Sequence, residues 1–393
     1  MFNNHKYSNV IYLFGIASVL FLSYYIYVHK NKAIEPSLPN IIKTKFSDLP
    51  EWDKKEIFSS LKSFEHSCKF LLKKNNLKEE NLLGFKIKTK AYIKFCEKLP
   101  TVKTNNSLKK LIEASFYPVF IESREVLFTG YLELEVKGSQ KYSRKEAPYA
   151  VPIFKKPPNL VSVNLGKFKK ELKNQTISGI IIDNNLVPVP SRKIIENEQM
   201  FKEHILAYID DPALAYFMHI QGSGIIKLAT GEELSIGYAG DNGKEYFSIG
   251  KKLIEDEIIK KEDMSMQAII NWMQNNKKAA TNLMQLNDIF IFFKERINSN
   301  GPQGSSGSFV TPMHSVAVDN QFFPYHLPFW FEVENYYSDD IYKKYFNIFI
   351  AQDTGSAIKG PTRFDLFLGR GSKAEKIAGK LSSEGKIWAL LPK

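Results

Sequence analysis

Cysteine is almost missing from this chain: two residues, Cys68 and Cys96, in 393. Two cysteines exclude a disulfide-stapled scaffold and an all-cysteine tetrahedral zinc site, and leave room for one bridge in an oxidising compartment. The signatures of several enzyme classes are missing too. There is no HExxH, no CxxC and no Walker loop, and the seven histidines show no metal-ligand spacing. Ser223 has Gly222 and Gly224 directly beside it, whereas a nucleophile elbow needs its glycines two residues away on each side. Gly-X-Y periodicity, internal repeats and low-complexity tracts are absent, which excludes collagen and solenoids. Negative charge is in short supply, with 42 Asp and Glu against 54 Lys and Arg, a formal charge of +12. That excess favours acidic partners without choosing among nucleic acid, anionic membrane and acidic wall polymer. No nucleic-acid fold signature accompanies it, so no nucleic-acid partner is expected.

What is present is the balance of a folded protein, 44% hydrophobic and 24% charged. At roughly 150 residues per domain the length suggests two domains, or three. Ser8 to Val28 carries no formal charge and, as a helix rising about 1.5 Å per residue, matches the hydrocarbon thickness of a bilayer. It ends in bulky residues, Tyr24-Tyr25-Ile26-Tyr27-Val28, where signal peptidase requires small ones. The expectation is a cytoplasmic N-terminus over 1–7, an uncleaved transmembrane signal anchor over 8–28 and a tether over 29–41. No cysteine precedes Cys68, so a lipid-modified front end is not expected.

After the tether the periodicity is helical. Ile57, Leu61, Phe64, Cys68 and Leu71 line one helix face, a second helix is predicted from about Lys86 to Leu99, and a third starts at a cap near Asn106-Ser107. Cys68 and Cys96 on neighbouring helices are equally readable as a pair or as two small core residues. From Val126 onwards, short apolar or alternating runs predict antiparallel β-structure. They include Ile177 to Ile182, Gly224 to Leu228, Glu233 to Tyr238, Ile289 to Phe293, Phe329 to Val333, Phe346 to Ile350, Phe364 to Leu368 and Ile387 to Leu391. A helix capped by Ser265 interrupts them, and Gly301 to Ser308 reads as a loop or hinge.

The chemistry-bearing residues are carboxylates at strand ends: Asp319 after Ser315-Val316-Ala317-Val318, Asp353 after Asn347 to Gln352, and Asp365 within Arg363-Phe364-Asp365-Leu366-Phe367. Alternation points Phe364, Leu366 and Leu368 one way and Arg363, Asp365 and Phe367 the other. An aspartate in mid-strand is disfavoured by propensity and calls for compensation, either an ion pair to Arg363 or Lys359 or a catalytic task.

Seven motifs in order decide between these: Phe128-Thr129-Gly130-Tyr131, Gln221 to Gly224, Tyr238 to Gly243, Ser248-Ile249-Gly250, Met264 to Gln267, Asp353 to Gly360, and Arg363 to Phe367. In that combination, from Phe46 to the C-terminus, the chain resembles the membrane-bound lytic murein transglycosylase A family, with its C-terminal three-aspartate domain. The resemblance implies a mainly β fold with N-terminal helices. Residues 42–133 and 298–393 would form a double-psi β-barrel catalytic domain built from two chain segments, and 134–297 an inserted smaller β-barrel. It implies cleavage of the β-1,4 bond between N-acetylmuramic acid and N-acetylglucosamine in peptidoglycan, leaving 1,6-anhydromuramoyl ends. Asp365 matches the acid that then acts as base, Asp353 the supporting aspartate, and Asp319 the third of the set. Thr129, Tyr131, Gln221, Ser223, Asp319 and Lys359 are the expected substrate contacts. The resemblance also implies a Cys68–Cys96 disulfide, glycan strands as partner, attachment to the membrane through the N-terminal helix, and a body in the periplasm of a Gram-negative bacterium. Other wall enzymes as partners are left open. The chain departs from the family pattern at Leu132, Glu133-Leu134, Gly304-Ser305, His314 and Ser356.

The proposed chemistry sets a requirement. A free aspartic acid of pKa about 3.9 is protonated in about one molecule in a thousand at pH 7, whereas one at about 6 is protonated in about one in ten. The competing reading is a non-catalytic glycan-binding barrel of the expansin-like type, separated from an enzyme by product release. Neither a cofactor nor a metal is expected. The three aspartates lack a histidine or glutamate at matching spacing for a hard-cation site, so cleavage of sacculi should proceed at full rate in excess chelator; loss of activity reversed by a divalent cation would restore the metal reading.

Overall fold

Trp52 shows how the N-terminal part is attached. It is buried, its indole N–H donates to Glu113 Oε1 at 2.8 Å, and its ring meets Trp330 edge-on at 5.2 Å. Trp330 in turn donates to the Pro50 carbonyl at 3.1 Å. The Phe46–Trp52 motif is thereby plugged onto the strand Pro328–Ser338. Behind it lie three helices, Leu61–Leu71, Lys90–Lys98 and Asn105–Ser115, whose apolar faces share one core with Trp330, Trp388, Ile348 and Ile350. The helices fall where periodicity predicts, with two adjustments: Phe85–Ile87 is a short strand, and the third helix is capped by Thr104, whose hydroxyl accepts from the Ser107 amide. A disulfide joins Cys68 to Cys96, with Cα atoms 5.2 Å apart, between the first and second helices.

This computed structural model describes residues 38–393 apart from 74–79, 84, 88, 89, 124, 146, 149, 173, 174, 199, 297–300, 339, 340 and 356. The anchor expected over 8–28, the N-terminus before it and most of the tether lie outside the described residues. Among the described residues no helix is long and apolar enough to cross a membrane. Residues Asn40–Lys393 form one compact unit.

The fold is mostly β with some helices. A long sheet path runs from Asn40–Lys43 through Phe116–Glu122, Gly385–Pro392, Pro328–Ser338, Ile341–Asp353, Ser315–Ala317 and Arg363–Arg370 to Leu127–Ser139. It continues through Ser223–Leu228 and Glu233–Asp241 to Ile291–Glu295. The expectation of purely antiparallel pairing needs correction. Ser315–Ala317 runs parallel to Ile341–Asp353, and Leu127–Ser139 runs parallel both to Arg363–Arg370 and to Ser223–Leu228. Parallel neighbours need long crossovers and no local turn marks them, so the alternating pattern alone could not reveal them.

Leu127–Ser139 changes partner along its length. Leu127 to Glu133 pairs with Arg363–Arg370, and Leu134 to Gly138 pairs with Ser223–Leu228. Where it changes partners, ion pairs gather: Glu133 with Arg296, Glu135 with Lys227 at 2.9 Å and Arg370 at 3.6 Å, and Arg370 with Glu233 at 3.5 Å. Leu132 is buried in the main core. A separate apolar cluster of Phe154, Phe201, Phe290 and Phe292 supports the three-stranded sheet Leu160–Asn164, Thr176–Ile182 and Asn185–Pro188.

The disulfide closes a loop spanning 28 positions. By loop-closure entropy, replacing both cysteines by alanine should lower unfolding free energy by roughly 3 kcal/mol, measured by urea denaturation; equal stability with and without the bridge would contradict it.

Candidate active site

Asp365 sits on a ladder of four neighbouring strands. Across one side it faces Thr129, and across the other it faces Ala317, which in turn faces Asp353. Opposed residues in adjacent strands share a face, so Thr129, Asp365, Ala317 and Asp353 all look the same way, with the two carboxylate-bearing Cα atoms about 10 Å apart. Ala317, a buried residue with a small side chain, lies between the two half-buried aspartates. The opposite face is anchored: Phe364 is fully buried, with its ring 5.1–5.7 Å from those of Phe128, Phe323, Phe329 and Phe331.

The Thr129 hydroxyl donates to Asp365 Oδ1 at 2.5 Å. Burial pushes the Asp365 carboxyl up to about 6, and the Asp353 charge adds to this, while the Thr129 hydroxyl and the Arg363 guanidinium pull it down. No ion pair closes between Asp365 and Arg363 or Lys359 among the described residues, so the compensation expected for a mid-strand aspartate is not a salt bridge. Lys359 is exposed.

Asp353 is held more firmly. Its Oδ1 accepts from the Ser305 amide, the Ser305 hydroxyl and the Thr354 amide, each at 2.9 Å, and its Oδ2 accepts from the Tyr131 hydroxyl at 3.0 Å. Burial raises this carboxyl, and these donors oppose the rise. Tyr131 stacks near Phe367, centroids 5.1 Å apart, and its phenol is pushed far above the usual range by burial and by Asp353.

Ser305 reaches Asp353 because Gly304 lies against the strand end. A Cβ at Gly304 would stand 2.2 Å from the Gln352 carbonyl oxygen, so only glycine permits the approach. The segment Gly301 to Ser308 is therefore a bonded clasp, with Gly304 N–H donating to Ser308 O at 2.9 Å and Ser306 N–H to Gln352 O at 3.2 Å.

On the reverse side of the same strand end, buried Gln352 donates to the Ser63 carbonyl at 2.9 Å and to Ser67 Oγ at 2.8 Å, and accepts from the Ser63 and Ser315 hydroxyls. The helix Leu61–Leu71 thus holds the residue next to Asp353. His314 is buried, bonded to the Ile348 carbonyl and to Ser59 Oγ, and pushed down to about 4 by burial, so it packs as neutral imidazole.

The remaining expected contacts separate. Gln221 Oε1 accepts from the Leu132 amide at 3.1 Å, at the end of the helix Pro212–Gln221, and Gly222 follows with φ 71° to turn the chain into Ser223–Leu228. Gln221 and Ser223 are half-buried beside the point where Leu127–Ser139 changes partners. Asp319 is buried, and its two oxygens accept from the Gln321 amide at 3.0 Å and the Gly360 amide at 2.8 Å. It ties the loop between the Asp353 and Asp365 strands to the chain after Ser315–Ala317.

Sequence reasoning passes over two residues. Tyr325, raised to about 12 mainly by burial, feels the charges of Asp353 and Asp319 and accepts from Asn320 at 3.1 Å. Ser305 acts partly through its backbone amide, which carries no residue signature.

Comparison with known proteins finds relatives in sequence and in structure. A family profile described as "MltA specific insert domain" matches residues 127–294, and one described as "3D domain" matches residues 314–391. The membrane-bound lytic murein transglycosylase A homolog of Buchnera aphidicola is 33% identical over 269 residues, covering 67% of this chain and 66% of that protein, so the chain spans just under two thirds of this relative. A crystal structure of membrane-bound lytic murein transglycosylase from Agrobacterium tumefaciens is similar with TM-score 0.79 and 24% identity, over 90% of this chain and 98% of that one. The Escherichia coli MltA structure with bound chitohexaose is similar with TM-score 0.59 and 25% identity, over 77% of this chain and 83% of that one.

The Thr129 hydroxyl stabilises the ionised carboxylate, so its loss leaves burial less opposed. In Thr129→Val, Asp365 should titrate at higher pH than in the unaltered protein, read from its carboxyl carbon by NMR; an unchanged or lower midpoint would contradict the hydrogen bond.

Proposed function

From the premise that the chain belongs to the membrane-bound lytic murein transglycosylase A family, we propose that it cleaves the β-1,4 bond between N-acetylmuramic acid and N-acetylglucosamine in peptidoglycan and leaves 1,6-anhydromuramoyl ends. The observation that carries this reading is the half-buried Asp365 carboxyl, bonded to Thr129 on the same sheet face as Asp353 and pushed up to about 6 by burial. At neutral pH that value leaves about one molecule in ten protonated.

Asp365 donates its proton to the glycosidic oxygen. The C1–O4 bond breaks, N-acetylglucosamine leaves with that proton on O4, and positive charge develops at C1 of the muramoyl ring. Asp365, now a carboxylate, takes the proton from the ring's own 6-hydroxyl, and O6 closes on C1. The acid is regenerated and no water is consumed. The attack is intramolecular, so a second base to activate water is unnecessary. Asp353 faces the same ring from two strands away, its position set by four donors, and its negative charge favours both the protonated acid and the developing cation. Thr129 and Tyr131 hold the two carboxylates at their bonded oxygens, and Gln221, Ser223 and Lys359 are left to meet sugar hydroxyl and acetamido groups.

We further propose that residues 42–133 and 298–393 form a double-psi β-barrel carrying the two aspartates, and 134–297 the inserted barrel, with glycan lying between them. The change of partner along Leu127–Ser139 at Glu133–Leu134 supports that boundary. We place the body in the periplasm, where peptidoglycan lies, and the words membrane-bound in the relatives' names support attachment to a membrane.

Asp365→Asn should reduce release of anhydro-muropeptides from purified sacculi by roughly 10²- to 10⁴-fold, the range of a lost general acid, with binding to sacculi retained. Mass analysis of the soluble products checks this. Binding without product release by the unaltered protein would favour the non-catalytic glycan-binding barrel.

A further inference from the structure

Arg363 is a charged group that the mechanism does not use. It precedes Asp365 by two residues in the strand Arg363–Arg370, so it lies on the same face, opposite Leu127. The residue is half-buried, and its Nη1 is buried with no hydrogen-bond partner among the described residues. A guanidinium nitrogen hidden from solvent and left unpaired is unfavourable. Its position is also unhelpful to the acid, because its charge pulls the Asp365 carboxyl down against the burial that raises it. From the inserted segment, Tyr246 feels the same cation, so the Arg363 charge reaches both Asp365 and that segment. A cation kept there in spite of both penalties matches an acceptor that arrives with the ligand.

The substrate class supplies one. The two sugars of peptidoglycan differ at a single position: the muramoyl ring carries on its 3-oxygen a lactyl group, extended by the stem peptide, whereas N-acetylglucosamine has a bare hydroxyl. We propose that Arg363 is the specificity residue that reads this branch, its planar fork donating to a carboxyl-derived oxygen of the lactyl-peptide substituent and so seating the muramoyl ring beside Asp365. The inference rests on the peptidoglycan reading above and deepens it. Chitin-type chains, which lack the branch, offer Arg363 no such oxygen.

The test uses the full chain carrying Asp365→Asn, so that substrates stay uncut, with and without Arg363→Gln. Three probes are titrated: glycan strands with intact stem peptides, the same strands after cleavage at the lactyl amide, and chitohexaose. Addition of Arg363→Gln should weaken both murein probes about tenfold or more, the range of a charge-assisted hydrogen bond, and leave chitohexaose within twofold. Arg363→Lys, which keeps the charge and loses the fork, should fall between. Weakening confined to the peptide-bearing strands supports the proposal with a stem carboxylate as acceptor; weakening of both murein forms supports it with the lactyl oxygen. Equal weakening of all three probes, or none, overturns it. Murein binding that survives in both proteins sinks this inference alone, whereas failure of the Asp365→Asn parent to bind any murein sinks the proposed function with it.

Discussion

The parallel pairing of Leu127–Ser139 with Arg363–Arg370 joins residues more than two hundred positions apart, and the site depends on its register. It places Thr129 against Asp365 and Tyr131 against Phe367, while Ser315–Ala317 on the far side brings Asp353 onto the same face through Ala317. A shift of one residue would turn Asp365 into the aromatic core and Phe364 out of it. The buried ring cluster around Phe364 opposes that slip, since moving a fully buried phenylalanine to the surface sacrifices about 1.5–3 kcal/mol of apolar burial. Core packing and acid placement are two faces of one strand.

The two carboxyl groups are then differentiated by their donors. Asp353 is fastened by three groups from Ser305 and Thr354 and one from Tyr131, and these counter the effect of burial. Burial is the largest influence on both carboxyls and raises both, but Asp365 has one side-chain donor, Thr129, to oppose it. The rise from 3.8 to about 6 corresponds to about 3 kcal/mol of preference for the neutral carboxyl, at about 1.4 kcal/mol per unit. Hydrogen bonding in a shared apolar setting is unequal, with four donors opposing the rise at Asp353 and one at Asp365, whose carboxyl is left able to exchange a proton near neutrality.

Support for this geometry comes from outside the ladder. Gln352 faces away from Asp353 and is saturated by Ser63, Ser67 and Ser315, so the helix Leu61–Leu71 fixes the strand end from behind. The Cys68–Cys96 bridge fastens that helix to its neighbour. Several family departures have local explanations: Leu132 fills the core, Glu133 pairs with Arg296, His314 packs as neutral imidazole between Ser59 and Ile348, and Ser305 contributes a hydroxyl to Asp353.

By itself the sequence determined the elements with strong local signals. The helical spacing of Ile57 to Leu71, the Ser265 cap, the apolar strands near the C-terminus and the outward aim of Asp365 opposite Phe364 all follow from period and propensity, which act over a few residues. The resemblance of seven ordered motifs added the reading of Asp365 as the proposed acid. Tertiary structure alone decided the parallel pairings, the Ser305 clasp, the polar network behind Gln352, the engagement of Asp319 with the Gly360 amide and the unpaired nitrogen of Arg363. Those features depend on backbone groups and on neighbours far apart in the chain, and a linear pattern of side chains does not encode which distant strand will lie alongside.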